Sequence, residues 1–475
     1  MINRIATIRT VIKQTATQRT VMKRATMKKV CTLALGVSLC NVTWAIDLVQ
    51  SYQRALSHDA TWQADQLRFQ IEQQNLGIAK AAALPTVGVN ASIYKQYQDL
   101  DDSSNSTTGG TGAGTVTPSF NFYNDESTTR QVGLSIRQPL FRWDVWQTYK
   151  QVKISTQLAE VKLLSQQQDL MLNVAEKYFN VLRQTRLVEV NQQEVNSLAK
   201  QAEMIRAQYR EGLVAKIDVS EAEAQHQSAI AKKVASDIQY QLALEELEQL
   251  VGDIETPLAR LDAGFQYQNP IPNDLNAWLD MAERNNLNLT QSRLAHKVAE
   301  QKVNVEKADY FPQVEAVAST GWNKQSPETI ISSTGRTDKI GIELNWTPYT
   351  GTRNALIKKS QIEANTALAD VDTTRRQIQT EIKRSFLQVS SAYSQLNAYH
   401  SALKSAQQVA DASSASYREG IKTMVDVLLA QRNAFSAQHD YVNAQYDYIL
   451  SALQLKAQAG QLSEQDLIDF NQWLK

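Results

Sequence analysis

The sequence predicts a mainly α-helical chain with a small β part, built as a duplicated pair of very long coiled-coil helices. Two observations carry this. Glycine and proline nearly vanish from two long stretches. No proline lies between Pro139 and Pro257 or after Pro348, and Gly212 and Gly420 are the only glycines in 134–251 and 352–459. Both residue types break helices, so their absence lets helices run on. The survivors then match between the stretches. Gly212 to Gly252 is 40 residues, as is Gly420 to Gly460. Tyr209-Arg210-Glu211-Gly212, with Asp218-Val219 beyond, answers Tyr417-Arg418-Glu419-Gly420, with Asp426-Val427 beyond.

The chain opens on residues 1–45, which hold eight Lys/Arg and no acid, and which end in an apolar run from Val30 to Leu39 followed by Thr43-Trp44-Ala45. A basic start, a short apolar centre and small residues near the cut describe a secretory signal. The run is too short for a membrane-spanning helix. Met27 marks the usual start of such a signal; a genuine 1–26 preface would only lengthen its positive region. Cys31 and Cys40 both fall here, so the mature chain offers no disulfide, thiol chemistry or Cys-ligated metal. Removing the segment leaves 41 basic against 49 acidic residues, a net charge of −8, which argues against nucleic acid as a partner.

Two repeats follow, 46–261 and 262–475, each ordered helix, strand, loop, strand, long helix pair; the second adds a C-terminal helix. Ala55 and Pro85 map onto Ala282 and Pro312 at an offset of 227, whereas Gly212 and Gly252 map onto Gly420 and Gly460 at 208. The 19-residue difference fits a longer first loop: 97–130, rich in Ser, Thr, Gly and Asp, against 323–338. Four alternating segments read as strands: Val87 to Ile93, Val132 to Ile136, Val314 to Ala318 (interrupted by Val317) and Ile340 to Trp346. Alternation suits a membrane strand and equally a two-faced soluble sheet. Four strands cannot close a barrel, for which eight is about the minimum, so a membrane role requires several chains.

Residues from Trp143 to Tyr209 keep helical apolar spacing, clearest at Val195, Leu198, Ala202, Ile205 and Tyr209, in the seam pattern of a coiled coil. The second copy gives Leu403, Ala406, Ala410, Ser413 and Tyr417. Such a helix is about 100 Å long at about 1.5 Å per residue. Past each glycine, helix resumes at Asp218 and Asp426, which makes both acids candidate N-caps. The glycine run 109–114 lacks the Lys-Ser/Thr and helix of a phosphate loop, and His58, His226, His296, His400 and His439 lack ligand spacing. No cofactor, metal site or catalytic set is expected.

The words Lys177-Tyr178-Phe179-Asn180-Val181-Leu182, Gly212-Leu213-Val214-Ala215, Thr423-Met424-Val425-Asp426-Val427-Leu428 and Leu462-Ser463-Glu464-Gln465-Asp466-Leu467 identify a resemblance, as do Pro139 and Pro348. The mature chain resembles the TolC-like outer-membrane efflux and secretion channels over essentially its whole length. The resemblance implies a homotrimer in the outer membrane, extending into the periplasm. In it twelve strands, four per chain, form one β-barrel in outer-membrane lipid, continued by a twelve-helix α-barrel. It implies a periplasmic adaptor (membrane fusion) protein and an inner-membrane pump of RND, ABC or MFS type as partners, and no chemistry.

Carried over by position, Asp426 matches an aspartate ring at the periplasmic constriction. Tyr417 and Lys422 match the residues that link to the other bend, where Asp218 matches their acidic partner. Gly212, Leu213 and Gly420 match the adaptor-docking tip. Two departures stand out: Leu429 replaces a second ring aspartate, and Ile217 replaces a threonine that helps accept the basic residue. The constriction is therefore expected to be less acidic, with the lock resting more on Asp218. By spacing alone Tyr417 is equally a packing residue of the seam. The competing reading is a periplasmic coiled-coil adaptor or stalk without a pore. Adaptors carry one hairpin inserted in a β-rich domain, whereas here the whole unit is duplicated and the strands precede the helix pair.

Overall fold

The computed structural model describes residues 45–98, 125–254, 257–262, 264–327 and 333–475. The expected signal segment as far as Trp44, most of the first loop and the centre of the second lie outside the described residues. In chain order the elements are α1 (Leu48–His58), α2 (Ala60–Ala81), β1 (Thr86–Gln98), β2 (Asp125–Phe141), α3 (Trp143–Arg210) and α4 (Lys216–Val251). The same order then returns as α5 (Leu275–Asn285), α6 (Leu287–Ala308), β3 (Gln313–Pro327), β4 (Ser333–Asn345), α7 (Arg353–Arg418) and α8 (Met424–Gln458), with α9 (Glu464–Asn471) at the end.

The two breaker-free stretches become helices of 68 and 66 residues, and each bend glycine lies just beyond its helix. A helix of about 100 Å cannot be covered by one partner. The lower half of α3 packs along α4, while its upper half packs along α2 and α6; α7 is treated alike by α8 and α6. The short helices thus stack end-on upon the shorter arms of the hairpins. Asp59 caps α2 by accepting from the Trp62 amide (2.9 Å), and its copy equivalent Asn286 caps α6 through the Leu289 amide (3.0 Å). Asn286 also donates to the Gln458 carbonyl (2.7 Å), tying α6 to the end of α8.

One buried node joins the middle of the molecule. Tyr178, fully buried on α3, directs its hydroxyl at the carbonyls of Ile46 (3.1 Å) and Ala259 (2.9 Å). Burial, opposed only in part by the Ala259 hydrogen bond, pushes this phenol well above its ordinary pKa. Ile46 pairs with Leu258, and Leu261 with Leu474, so the residues before α1, the segment between the copies and the last residues of the chain are stitched side by side. Phe179 lies edge-on to Phe470 of α9 and closes the node from below. The word around Tyr178 in the sequence is therefore a packing site.

The strands form one antiparallel sheet in the order β1-β2-β3-β4. Opposed residues share a face. Val87, Ile136, Ala318 and Ile340 form one row, and Ala91, Val132, Trp322 and Arg336 another, on the same side. The opposite side carries Gly88, Ser135, Ser319 and Lys339 in one row, and Arg137 there meets Glu343 at 3.1 Å. One face is thus mostly apolar and exposed, and the other polar. The strands run further than the alternation shows, and β4 stops at Asn345, one residue short of the expected Trp346. Val317 does not interrupt β3; the register shift lies in β2, between Pro139 and Phe141.

Among the described residues four glycines have positive φ: Gly212 (75°), Gly252 (79°), Gly420 (76°) and Gly460 (66°). Two of them differ in a way that decides a test. A Cβ on Gly212 would meet nothing within 4 Å, whereas one on Gly460 would sit 2.4 Å from the Asn285 carbonyl oxygen. Gly212→Ala bears only the left-handed cost of about 1–2 kcal/mol, while Gly460→Ala must also push α8 off the α5–α6 turn. In circular-dichroism melts of the purified protein, Gly460→Ala will lower the melting temperature by clearly more than Gly212→Ala; equal shifts would show that the Asn285 contact does not constrain the fold.

Candidate functional site

The candidate site is the pair of bends farthest from the sheet. Each long helix ends in the same closed motif. The Gly212 amide donates to the Tyr209 carbonyl and the Leu213 amide to the Gln208 carbonyl, both at 2.9 Å. In the second copy Gly420 donates to Tyr417 and Ile421 to Ser416, again at 2.9 Å. Glycine is needed because the residue after the cap takes the left-handed conformation. The motif leaves Leu213 and Ile421 standing out in solvent, and Ile217 and Val425 are exposed nearby. Each tip is therefore a glycine turn flanked by exposed apolar side chains.

Helix resumes two residues earlier than expected, at Lys216 and Met424, so Asp218 and Asp426 are not the caps. Both lie at the third helical position and reach back. Asp218 accepts from the Ala215 amide (3.1 Å), and Asp426 accepts from the amide (3.0 Å) and hydroxyl (2.6 Å) of Thr423. The Asp426 amide returns a bond to the Thr423 hydroxyl (3.3 Å), completing a capping box. Ala215 has no hydroxyl, so the first bend has only half of one. The position still suits an acid, because a carboxylate in the first turn meets the positive end of the helix dipole. The Thr423 hydroxyl first, then its amide, hold the exposed Asp426 carboxyl below the ordinary carboxylate range.

The structure brings Tyr417 to the other copy, but its hydroxyl donates to Gln208 on α3 (2.8 Å). Lys422 donates to Ser413 on its own hairpin (2.9 Å). Within the chain Asp218 is bonded to neither; its carboxylate is turned to its own helix start. Gln208 escaped the sequence reading because it sits one residue before the seam tyrosine Tyr209, among polar residues that look like a solvated face. Tyr209 itself is exposed and departs from the expected seam, whereas Leu198, Ala202 and Ile205 are buried in it. They pack with Ala222 and Ala229 of α4 and with Met424, Val427 and Leu428 of α8. The first turns of α8 thus lean on the first copy's hairpin through Met424, Val427 and Leu428. Asp426 and Leu429 are left on the exposed side, stacked one turn apart.

Higher up, α3 and α8 are tied by polar contacts: Arg183 with Asp447 (2.8 Å) and Asn191 with His439 (2.7 Å). Desolvation holds the half-buried His439 ring below its usual pKa.

This architecture recurs in known proteins. The outer membrane channel CmeC of Campylobacter jejuni superposes with a TM-score of 0.72 at 14% identity, over 90% of each chain. Outer membrane protein TolC of Escherichia coli (strain K12) is 27% identical over 463 residues, 94% of this chain and 89% of that one. The alkaline protease secretion protein AprF of Pseudomonas aeruginosa is 27% identical over 449 residues, 93% of this chain and 91% of that one. The family model for outer membrane efflux proteins matches residues 51–253 and 278–461, one match in each copy. With long paired helices, a two-faced sheet and glycine bends in both copies, the chain belongs to the outer membrane efflux protein family.

Proposed function

We propose that this protein is the outer-membrane exit channel of a tripartite efflux pump, a type I secretion system, or both. It is a passive homotrimeric conduit, gated at its periplasmic end. The observation that carries the reading is the continuity of one chain, in which strands with an exposed apolar face run directly into helices of about 100 Å that end in solvent-exposed bends. The apolar face suits outer-membrane lipid, the helices span a periplasmic distance, and the bends are where another protein is met. Cargo from an inner-membrane pump of the RND, ABC or MFS type enters through a periplasmic adaptor, and the channel makes and breaks no bonds. Purified trimer in a planar bilayer tests the reading: ion conductance is expected, and a trimer that inserts without conducting would reduce the protein to a stalk.

The docking tip is Gly212 and Leu213 with Gly420. Their backbone and side chains are open to solvent, and a partner's helical hairpin can cover both the glycine turns and the flanking apolar residues. Substituting Gly212 and Gly420 together with a bulky residue such as Trp will abolish export, while the trimer still reaches the outer membrane. Export at the unsubstituted level would place docking elsewhere.

At the gate, Asp426 of three copies forms a carboxylate ring that favours cations in a narrow pore. Leu429, one turn along, gives the ring an apolar neighbour. Tyr417 with Gln208, and Lys422, hold the second bend against the first, with Asp218 available to a neighbouring chain. Tyr417→Phe with Lys422→Ala will raise single-channel conductance severalfold; unchanged conductance would make these contacts packing only.

Asp426→Asn will leave conductance low but weaken cation preference. The preference of the unsubstituted channel is lost as pH falls through the Asp426 pKa, because protonation removes the ring charge. Thr423→Val deletes the hydroxyl that lowers this pKa, so the loss will occur at higher pH. An identical pH profile in Thr423→Val would mean that another group sets selectivity.

A further inference from the structure

The apolar side of the sheet ends in charge at the edge away from the helices. On β1, β2 and β3 the first residue beyond the apolar run on this face is basic: Lys95 follows Ile93, Arg130 adjoins Val132, and Lys324 follows Trp322. On β4, Asp338 and then Arg336 follow Ile340 toward the same edge. Two acids share this rim, and both are engaged, Glu126 with Lys95 and Asp338 with Arg336 at 3.1 Å. Arg130 and Lys324 differ from these. They stand directly opposite each other across β2 and β3, and among the described residues neither has an ion-pair partner.

Like charges at directly opposed positions work against strand pairing, because their Cβ atoms are only about 4.5–5.5 Å apart. An anion seated between the two heads turns that repulsion into attraction. The depth of the pair says what kind of anion is at hand. From Val314 to Lys324 is ten residues, about 33 Å along a strand at about 3.3 Å each. With the tilt of about 40° usual in membrane barrels, this gives about 25 Å of height, that of a whole apolar band. The pair therefore stands where acyl chains give way to headgroups. The other edge of the band, beside the helices, carries exposed aromatic side chains instead, Phe311 and Trp346 among them.

We infer that Arg130 and Lys324 together hold a phosphate group of a phosphorylated glycolipid in the outer leaflet, one lipid on each chain. The guanidinium can fork onto two phosphate oxygens, and the ammonium supplies a point charge beside it. The leaflet selects a glycolipid over a phospholipid. The strand ends point away from the periplasmic helices, so the pair lies in the exterior half of the membrane, where the lipid carries its phosphates on a sugar next to the acyl chains. This rests on the outer-membrane placement of the sheet and adds a ligand to it.

Binding of bisphosphorylated lipid A to the purified trimer, followed by native mass spectrometry and by melting temperature, tests the site. The unsubstituted protein should retain one lipid per chain and melt several degrees higher with lipid than without. Arg130→Gln with Lys324→Gln should weaken binding at least tenfold and abolish the shift. In detergent alone it should melt no lower than the unsubstituted protein, since it loses a repulsion. Lys324→Gln by itself should cost at least threefold in binding, and it serves if the double variant does not assemble. Lys339→Gln removes a charge from the polar face and should bind as before. Full binding by the variants of the pair would overturn the site. Equal binding of phosphatidylglycerol, or of lipid A stripped of phosphate, would overturn the ligand. Conductance of the same preparation separates the two readings. A trimer that conducts but ignores the lipid would overturn only this inference, and one that binds it without conducting would overturn only the channel.

Discussion

Every backbone amide and carbonyl inside a membrane has to find its partner within protein, since hydrocarbon offers none. The sheet meets this constraint only in part. The inner ladders of β1 to β4 run the length of the strands apart from the shift between Pro139 and Phe141, but among the described residues β1 and β4 each pair on one side only. Four strands also fall short of the eight or so needed to close a cylinder. The chain is therefore an open sector of a larger object, and its other features are consistent with that. Its helices expose Val234, Ile238 and Leu387, and among the described residues no other element packs on the apolar face of its sheet.

The upper and lower layers of the chain are joined at the node around Tyr178. The 68-residue α3 is packed along its length by α4, α2 and α6, and near its middle these layers meet. Tyr178 joins them by drawing in Ile46 and the segment between the copies, while the pairing of Leu261 with Leu474 adds the C-terminal residues. Deeply buried Val174, Leu247 and Leu453 pack in the same core. The upper half of the molecule is thus fixed to the lower half at one level, and the tips lie far from it on slender hairpins. A joined middle with long arms suits the proposed gate, in which a few bonds at the ends would hold the bends together.

Much of this was legible in the residues. The long helices, the glycine bends and the repeat were readable because breakers are rare and position-specific. The strand ends were not. Beyond Ile93 in β1 and before Arg130 in β2 the alternation fades into Tyr94-Lys95-Gln96 and Ser127-Thr128-Thr129, although pairing continues. Past the apolar band both faces of a strand can be polar, so periodicity carries no information there. The tip bonds were also hidden. Asp218 and Asp426 looked like caps because residue type does not distinguish the cap from the third helical position, and both suit an acid. Gln208 had no mark at all, since its role comes from where Tyr417 of the other copy reaches.

The two bends, alike in backbone, differ at the capping position. Thr423 closes its box with a hydroxyl, and Ala215 has none. A lost cap hydrogen bond costs about 1 kcal/mol, which corresponds to roughly a fivefold larger population of the frayed first turn, since a tenfold change is worth about 1.4 kcal/mol. The start of α4 is therefore the more compliant of the two springs. Under load from a bound partner, strain will collect first at Ala215, and the amides from 216 to 218 will exchange with solvent sooner than their counterparts in α8.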